Sequence, residues 1–511
     1  MSPETLRVRR LTLVATALGS SLAFLDTTVV IVALPRIERD LELGLAGQQW
    51  VVLGYSLTLS ALYLVFGAVG DRVGLRRTFM AGVVVFALAS LLCAAAASEA
   101  ALVGGRALQG VGGAALTTTS LALLRVTWAD EAGRAIGLWT SLTGVATVAG
   151  PPLGGVLVES VSWRWIFLLN APLAVAVVVL ALAGRSDADR SGGRASLDLA
   201  GSALTALGLA GVAFALVEVR ERGAGAVAVP ALLGLAALTA LAVWTFAARD
   251  PVVPPRLLRR SGVVPANLVT LVLYAALGAH LLFLPLYVQF LGFSATTAGL
   301  VFAPPSLALI FLAPRFGRTA DRYGPRWPIA GGAALIGAGT LLLLAVDGRG
   351  DAWTWGVASL ALFALGLSAV VAPITAAALS PAPEELAGVA SGLNQTVARI
   401  GGVLAVASVG ALAGWVFSRS GGSGATPFDA DAADEGRGAG VDAFRAVVAC
   451  VSALAFAGAA LAAAFLRGTL PGRAAERADE QAVAGMPTPC PAGAGRPPPT
   501  EARPRGAEAA P

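Results

Sequence analysis

The chain has 511 residues, of which 56% are hydrophobic and 13% charged, with a formal net charge of +5 and a mean hydropathy of +0.76. Soluble domains carry roughly a quarter charged residues, so this composition excludes a water-soluble enzyme, a disordered chain and a nucleic-acid binder. At roughly 20 apolar residues per crossing, the hydrophobic content would build about fourteen membrane-spanning helices.

Fourteen apolar runs can be marked, at about 11–34, 49–69, 79–97, 101–124, 135–158, 165–183, 199–217, 226–247, 266–289, 296–314, 327–346, 353–378, 389–417 and 441–466. Each is continuous and far longer than the alternating barrel strand of about ten residues, so the fold class is an all-α polytopic membrane protein with 14 transmembrane helices. The first run is too long, and lacks the small-residue cleavage site, to be a signal peptide.

Run 1 holds Asp26 about eight residues from its outer end, roughly 12 Å deep at about 1.5 Å per residue. Run 4 holds Arg106 roughly 8 Å below the same surface. A charge near the bilayer centre costs at least about 2.5–3.5 kcal/mol, so each needs a reason. Similar depths allow Asp26 and Arg106 to pair. A carboxyl caught between desolvation and an arginine suits proton binding and release; a static structural pair, or an Asp26 that caps a helix break, is the alternative.

Run 5 contains Gly150, Pro151, Pro152, Gly154 and Gly155. Gly150 and Gly154 share a helix face and allow close packing, and the prolines bend the helix, which suits a moving interface or plain tight packing. Trp163-Arg164-Trp165 opens run 6 and reads as an interfacial aromatic anchor with a snorkelling arginine. Run 9 holds the chain's one histidine, His280, either a satisfied interior group or a proton carrier. In run 13, Asn394, Gln395 and Arg399 lie within about one and a half turns; substrate contact and structural network fit equally. The loop 418–440 is Gly-rich and acidic, as a solvated connector would be. The tail from 468 is rich in Pro, Ala, Gly, Arg and Glu and is expected to be disordered.

Two loops match. Gly67-Ala-Val-Gly-Asp71-Arg72-Val-Gly74-Leu-Arg76 and Gly317-Arg-Thr-Ala-Asp321-Arg322-Tyr-Gly324-Pro-Arg326 share G-x-x-x-D-R-x-G-x-R, 250 positions apart. The chain therefore reads as a duplicated six-span unit: an N-terminal bundle at 1–184, a two-helix insertion at 185–260, a C-terminal bundle at 261–467 and a tail at 468–511. The motif glycines permit close approach and a tight turn. Asp71 can favour a helix N-terminus, and the arginines can pair with it or with lipid phosphates. Such a loop could latch two helices and release them.

All 36 basic residues are arginine. With the N-terminus inside, 25 of them fall on inside segments and 8 on outside loops, which by the positive-inside rule puts both termini in the cytoplasm. Three cysteines without a CxxC spacing, and one histidine, leave no metal site. No G-x-x-x-x-G-K-[ST] phosphate loop is present. No cofactor is expected, and the proton-motive force is the energy source.

These motifs together resemble the major facilitator superfamily over about residues 8–466, and within it the fourteen-span drug:proton antiporters that include quaternary-ammonium resistance exporters. The loop at 67–77 looks like that superfamily's gating loop, repeated at Asp321, Arg322 and Gly324. Arg106 to Gly112 looks like its span-4 motif, Gly150-Pro151-x-x-Gly154-Gly155 like its antiporter motif, and Leu25-Asp26-x-Thr28 with Trp163-Arg164-Trp165 like markers of the fourteen-span branch. The resemblance implies export of lipophilic drugs or antibiotics in exchange for protons by alternating access, with Asp26 and Arg106 coupling protons and Asn394, Gln395, Arg399 and His280 near the substrate. Two departures stand out: Ile31 replaces a common asparagine, and no second carboxylate lies deep in the later spans. The latter favours neutral, zwitterionic or singly charged lipophilic substrates. Expected partners are a small lipophilic substrate, protons and membrane lipids, with no nucleic acid, around a monomer in the cell membrane. An exporter or facilitator of an endogenous metabolite (a self-made antibiotic, lipid precursor or sugar) is the near alternative, and a membrane-embedded enzyme or sensor the remote one.

Overall fold

Hydrocarbon offers no partner to a backbone N–H or C=O, so a crossing segment must satisfy its own groups, and a helix does so along its whole length. The computed structural model describes residues 3–128, 131–184, 198–248, 253–382, 386–422, 426–429 and 434–466; the tail from 468 lies outside them. The N-terminal portion comprises α1 (Pro3–Leu41), α2 (Leu45–Val73), α3 (Leu75–Ala94), α4 (Glu99–Thr127), α5 (Ala132–Ser160), α6 (Arg164–Leu168) and α7 (Asn170–Ala183). After α8 (Leu199–Ala247) come α9 (Pro255–Leu258), α10 (Val263–Phe290), α11 (Ala295–Leu300), α12 (Ala303–Tyr323), α13 (Arg326–Leu341), α14 (Arg349–Asp351), α15 (Val357–Leu379), α16 (Ala387–Arg419) and α17 (Asp434–Phe465).

Among the described residues, thirteen helical segments are long and apolar enough to cross a membrane. The second expected crossing, α2, is a continuous 29-residue helix outside that set. Gln48 and Gln49 are buried within the protein, and Gln49 Nε2 donates to the Val406 carbonyl on α16 at 2.5 Å. The helix spends its polarity on a neighbour.

The innermost segments are those of α1, α4 and α10, 61%, 67% and 61% buried, against 33% and 17% for the two arms of α8. α8 doubles back at Gly223 (φ 79°, ψ 160°), and its arms meet where Gly211 and Gly234 leave no room for a side chain. Leu232, Leu233 and Phe246 on its second arm are exposed, as a lipid-facing surface requires. Its first arm packs on α2 and α16. There Trp50 Nε1 donates to Glu218 Oε1 at 2.8 Å, and Arg222 Nε to Glu218 Oε2 at 2.7 Å. The two arms of α8 thus form one hairpin.

The repeated loops share a backbone. Gly74 (φ 110°, ψ 129°) joins α2 to α3, and Gly324 (φ 88°, ψ 157°) joins α12 to α13, a region of φ/ψ space open to little but glycine. The packing beyond each loop repeats too: α3 meets α4 at Gly82 and Gly112, and α13 meets α15 at Gly332 and Gly366. Gly67 behaves differently from expectation: a Cβ there would meet nothing within 4 Å, so it makes no close approach. Asp71 and Asp321 lie in the last turns of α2 and α12, and neither α3 nor α13 has a side-chain N-cap; the Asp71 side chain lies outside the described residues. Arg76 is buried and donates to the Ala181 carbonyl and, at 2.6 Å, to that of Gly184. It thereby satisfies carbonyls that the end of α7 leaves open.

Gly74→Ala and Gly324→Ala should each cost about 1–3 kcal/mol, seen as a lower melting midpoint of the purified protein in detergent. Gly67→Ala, in an uncrowded helical position, should leave the midpoint unchanged or raise it.

Candidate functional site

Asp26 on α1 and Arg106 on α4 meet. Both are almost wholly buried, at 2% and 1% exposure, and Arg106 Nη1 donates to Asp26 Oδ2. The pair is held by three further elements, α2, α3 and α7. Arg106 Nε donates to the Val51 carbonyl of α2 at 3.0 Å, and Nη1 also reaches Gln109 Oε1 at 2.7 Å. Gln109 Nε2 donates to Asp26 Oδ1 at 3.1 Å and to Ser90 Oγ of α3 at 2.7 Å. Asn170, the first residue of α7, donates from Nδ2 to the same Asp26 oxygen and the same Ser90 hydroxyl, each at 3.2 Å. The Tyr55 ring of α2 lies under the guanidinium at 4.5 Å, and its hydroxyl donates to the Ala23 carbonyl.

A buried ion pair offsets its desolvation only when geometry is good and the remaining donors and acceptors are filled. Here both Asp26 oxygens accept bonds from cationic or amide donors. Asn170 Oδ1 is the network's one buried polar atom without a partner among the described residues. The carboxylate is therefore well bound, at a junction shared by α1, α2, α3, α4 and α7.

Sequence reading named Asp26 and Arg106 and passed over Gln109, Asn170 and Ser90. Gln109 follows Arg106 by three residues and so shares its helix face, a signal that was present. Asn170 and Ser90 are single polar residues in apolar runs, which helices tolerate for many reasons.

The glycines of α5 form a two-sided seam. A Cβ on Gly150 would collide with Thr28 of α1, and one on Gly154 would lie 2.9 Å from Val29 Cγ1. Gly155 faces α11 instead, where a Cβ would lie 2.6 Å from the Ala295 carbonyl oxygen, and Gly299 of α11 lies against the Pro151 carbonyl. One face of α5 packs on α1 and the other on the C-terminal portion. On the same end of the molecule Thr296 donates to Glu159, Thr426 to Glu38 at 3.2 Å, and Gln289 Nε2 to the Val32 carbonyl at 3.2 Å. These bonds tie the chain's two portions together around a polar recess of about 450 Å³ lined in part by Glu38, Asp40, Glu159, Gln289 and Asp429.

Two expectations change at this end. Trp163 is no interfacial anchor: it is fully buried and donates to Asp40 Oδ2 at 2.8 Å, while Arg164 covers its ring at 4.3 Å and pairs with Asp40 at 3.5 Å. Trp165, half exposed, takes the outward position. The loop 418–440 is also more than a solvated connector. Phe428 is buried against Phe283, Phe290 and Phe444 with ring centroids 6.0–6.4 Å apart.

The four residues expected near substrate do not form one cluster. Asn394 faces α10, donating to Thr270 Oγ1 at 2.9 Å and Asn267 Oδ1 at 3.4 Å. His280 stacks on Phe363 at 4.0 Å with its Nε2 buried and unpartnered. Gln395 and Arg399, one turn apart on α16, are not enclosed, and the Arg399 guanidinium lies 5.5 Å from the Tyr63 ring of α2. Among the described residues no three His, Cys, Asp or Glu side chains come together as a metal site would need.

Residues 16–406 match the family model described as Major Facilitator Superfamily. The chain is 34% identical to Multidrug resistance protein Stp of Mycobacterium tuberculosis over 416 residues, 80% of this chain and 77% of that one. It is 36% identical to the Tetracenomycin C resistance and export protein of Streptomyces glaucescens over 410 residues, 78% and 75% of the two chains. Its fold matches the crystal structure of a bacterial homolog of the human lysosomal transporter Spinster with a TM-score of 0.63 at 18% identity, covering 91% of this chain and 99% of the other.

Removing one partner of a buried pair strands the other's charge, which costs about 3–5 kcal/mol. Arg106→Gln should therefore lower the melting midpoint sharply. Asp26→Asn combined with Arg106→Gln should recover part of that loss, and a double-mutant cycle on the purified protein measures the coupling.

Proposed function

The chain belongs to the major facilitator superfamily, and from that premise we propose that it exports lipophilic drugs or antibiotics across the cell membrane in exchange for protons. It is a multi-pass membrane transporter. The relatives' printed functions, multidrug resistance and tetracenomycin C resistance and export, support the substrate class. The observation that carries the coupling is the buried Asp26–Arg106 pair at the junction of five helices.

The cycle follows from that junction. In alternating access, two six-helix portions, 1–184 and 261–467, rock about a midplane site as parts of a fourteen-span monomer with both termini in the cytoplasm. The end tied by Thr296–Glu159 and Thr426–Glu38 is then the outer end, and the structure represents the state closed to the outside. Protonation of Asp26 releases Arg106, loosens the hold on Gln109 and Asn170, and favours the opposite opening. The α1–α5–α11 seam built on Gly150, Pro151, Gly154 and Gly155 opens and closes with it, and the loops around Asp71, Arg72, Asp321 and Arg322 latch the inner end.

One proton crossing 100 mV supplies about 2.3 kcal/mol, and one pH unit adds about 1.4 kcal/mol. At about 1.4 kcal/mol per tenfold, that sustains a gradient of several hundred-fold for a neutral substrate, with no nucleotide.

In everted vesicles, substrate addition should release protons from the wild type and stop doing so in Asp26→Asn. Proton release at the wild-type rate in that variant would remove Asp26 from the coupling role. An uncoupler should collapse drug accumulation; accumulation that survives it would point to facilitated diffusion instead.

A further inference from the structure

Arg399 is a charge without a counter-charge. It lies twelve residues into α16 (Ala387–Arg419), about 18 Å from the helix start at about 1.5 Å per residue. The Tyr63 ring is its one partner, and among the described residues it makes no hydrogen bond or ion pair. The buried carboxylate of Asp26 is not available to it, since its two oxygens are taken by Arg106, Gln109 and Asn170. Of the helices packed on α16, α10 and α15 contain no acidic residue, and Glu218 of α8 is taken by Trp50 and Arg222. A single ring contact does not offset the cost of holding a guanidinium at membrane depth.

The surroundings of Arg399 belong to the seam between the chain's two portions. Tyr63 comes from α2, and α16 packs on α2 there. Gln395, one turn earlier on the same face of α16, is exposed. Asn394, pointing away, is occupied with α10. Arginine, glutamine and tyrosine thus lie along this seam, with donors in excess and no anion among them. A guanidinium presents a planar fork of donors that matches a delocalised oxyanion in two parallel bonds.

We propose that Arg399 is a substrate-binding residue that selects lipophilic compounds bearing a carboxylate, the ring face of Tyr63 and the amide of Gln395 flanking the bound oxyanion. The proposal rests on the exporter reading above and narrows its substrate class from "lipophilic" to "lipophilic acid". It fits a chain with no spare acid in its later spans, since a cationic drug would meet Arg399 unshielded.

The test uses the full chain in nanodiscs and three probes on one ring system: 1-pyrenebutyrate, its methyl ester and 1-pyrenebutylamine. Binding is read by energy transfer from tryptophan to pyrene, with empty nanodiscs as background. The wild type should bind the carboxylate about tenfold or more tightly than the ester, the size of one charge-assisted contact, and the amine most weakly. Arg399→Gln should lose that preference while keeping ester affinity within about twofold, and Arg399→Lys should retain part of it. Equal wild-type affinity for acid and ester, or an unchanged preference in Arg399→Gln, overturns the proposal. Should Arg399→Gln fail to fold, the wild-type ranking and Arg399→Lys decide alone. Substrate-induced proton release in everted vesicles separates the two readings: release driven by the amine or ester but not by the acid sinks only this proposal, whereas no release with any probe sinks the exporter reading with it.

Discussion

A carboxylate and a guanidinium buried together in hydrocarbon impose conditions on everything near them. Each remaining lone pair and N–H must find a partner, because water cannot reach them and an unfilled site costs more than the pair gains. In this chain that requirement recruits a backbone carbonyl from α2, a glutamine from α4, a serine from α3 and the asparagine that opens α7. Five helices are therefore positioned by one pair of side chains. The packing that allows this is close, as at Gly82 and Gly112 between α3 and α4, since short polar side chains reach one another only when helix backbones nearly touch. The polar junction and the small-residue packing are one design read from two sides.

The C-terminal portion repeats the loop and the helix packing, but among the described residues it has no buried ion pair like that of Asp26 and Arg106. Its loop at Gly324 and its α13–α15 contact at Gly332 and Gly366 copy the first portion. Where the first has Asp26 and Arg106, the second has uncharged Asn267, Thr270 and Asn394, with a histidine stacked face to face on a phenylalanine. The asymmetry follows from cost: a second buried pair would need a second full set of partners.

Much of this was legible in residues. Continuous apolar runs gave the helices because hydrocarbon leaves the backbone little alternative, and the repeated G-x-x-x-D-R-x-G-x-R marked two loops of like backbone because Gly74 and Gly324 adopt a conformation few other residues tolerate. Asp26 and Arg106 were visible because a charge in an apolar run is conspicuous. What escaped notice was relational. Trp163 reads as a membrane-interface residue until Asp40 is found beside its indole nitrogen; Arg76 reads as a surface charge until the end of α7 arrives over it; Phe428 sits in a loop whose composition is polar, and only the cluster of Phe283, Phe290 and Phe444 gives it a reason to turn inward. Local pattern shows which side chains are expensive. It does not show which distant residue compensates them.

The hairpin α8 changes how the bilayer meets this protein. Its first arm lies along the groove where α2 and α16 run together, fixed by Trp50, Glu218 and Arg222 and by Arg220 over the Phe417 ring. That groove is one of two flanks along which the chain's portions adjoin; at the other, between α5 and α11 with α12, no such hairpin lies among the described residues. The flanks are consequently unequal. A solute dissolved among the acyl chains finds one flank shuttered by the hairpin and the other without it, and diffusion within the membrane plane acquires a preferred side of arrival.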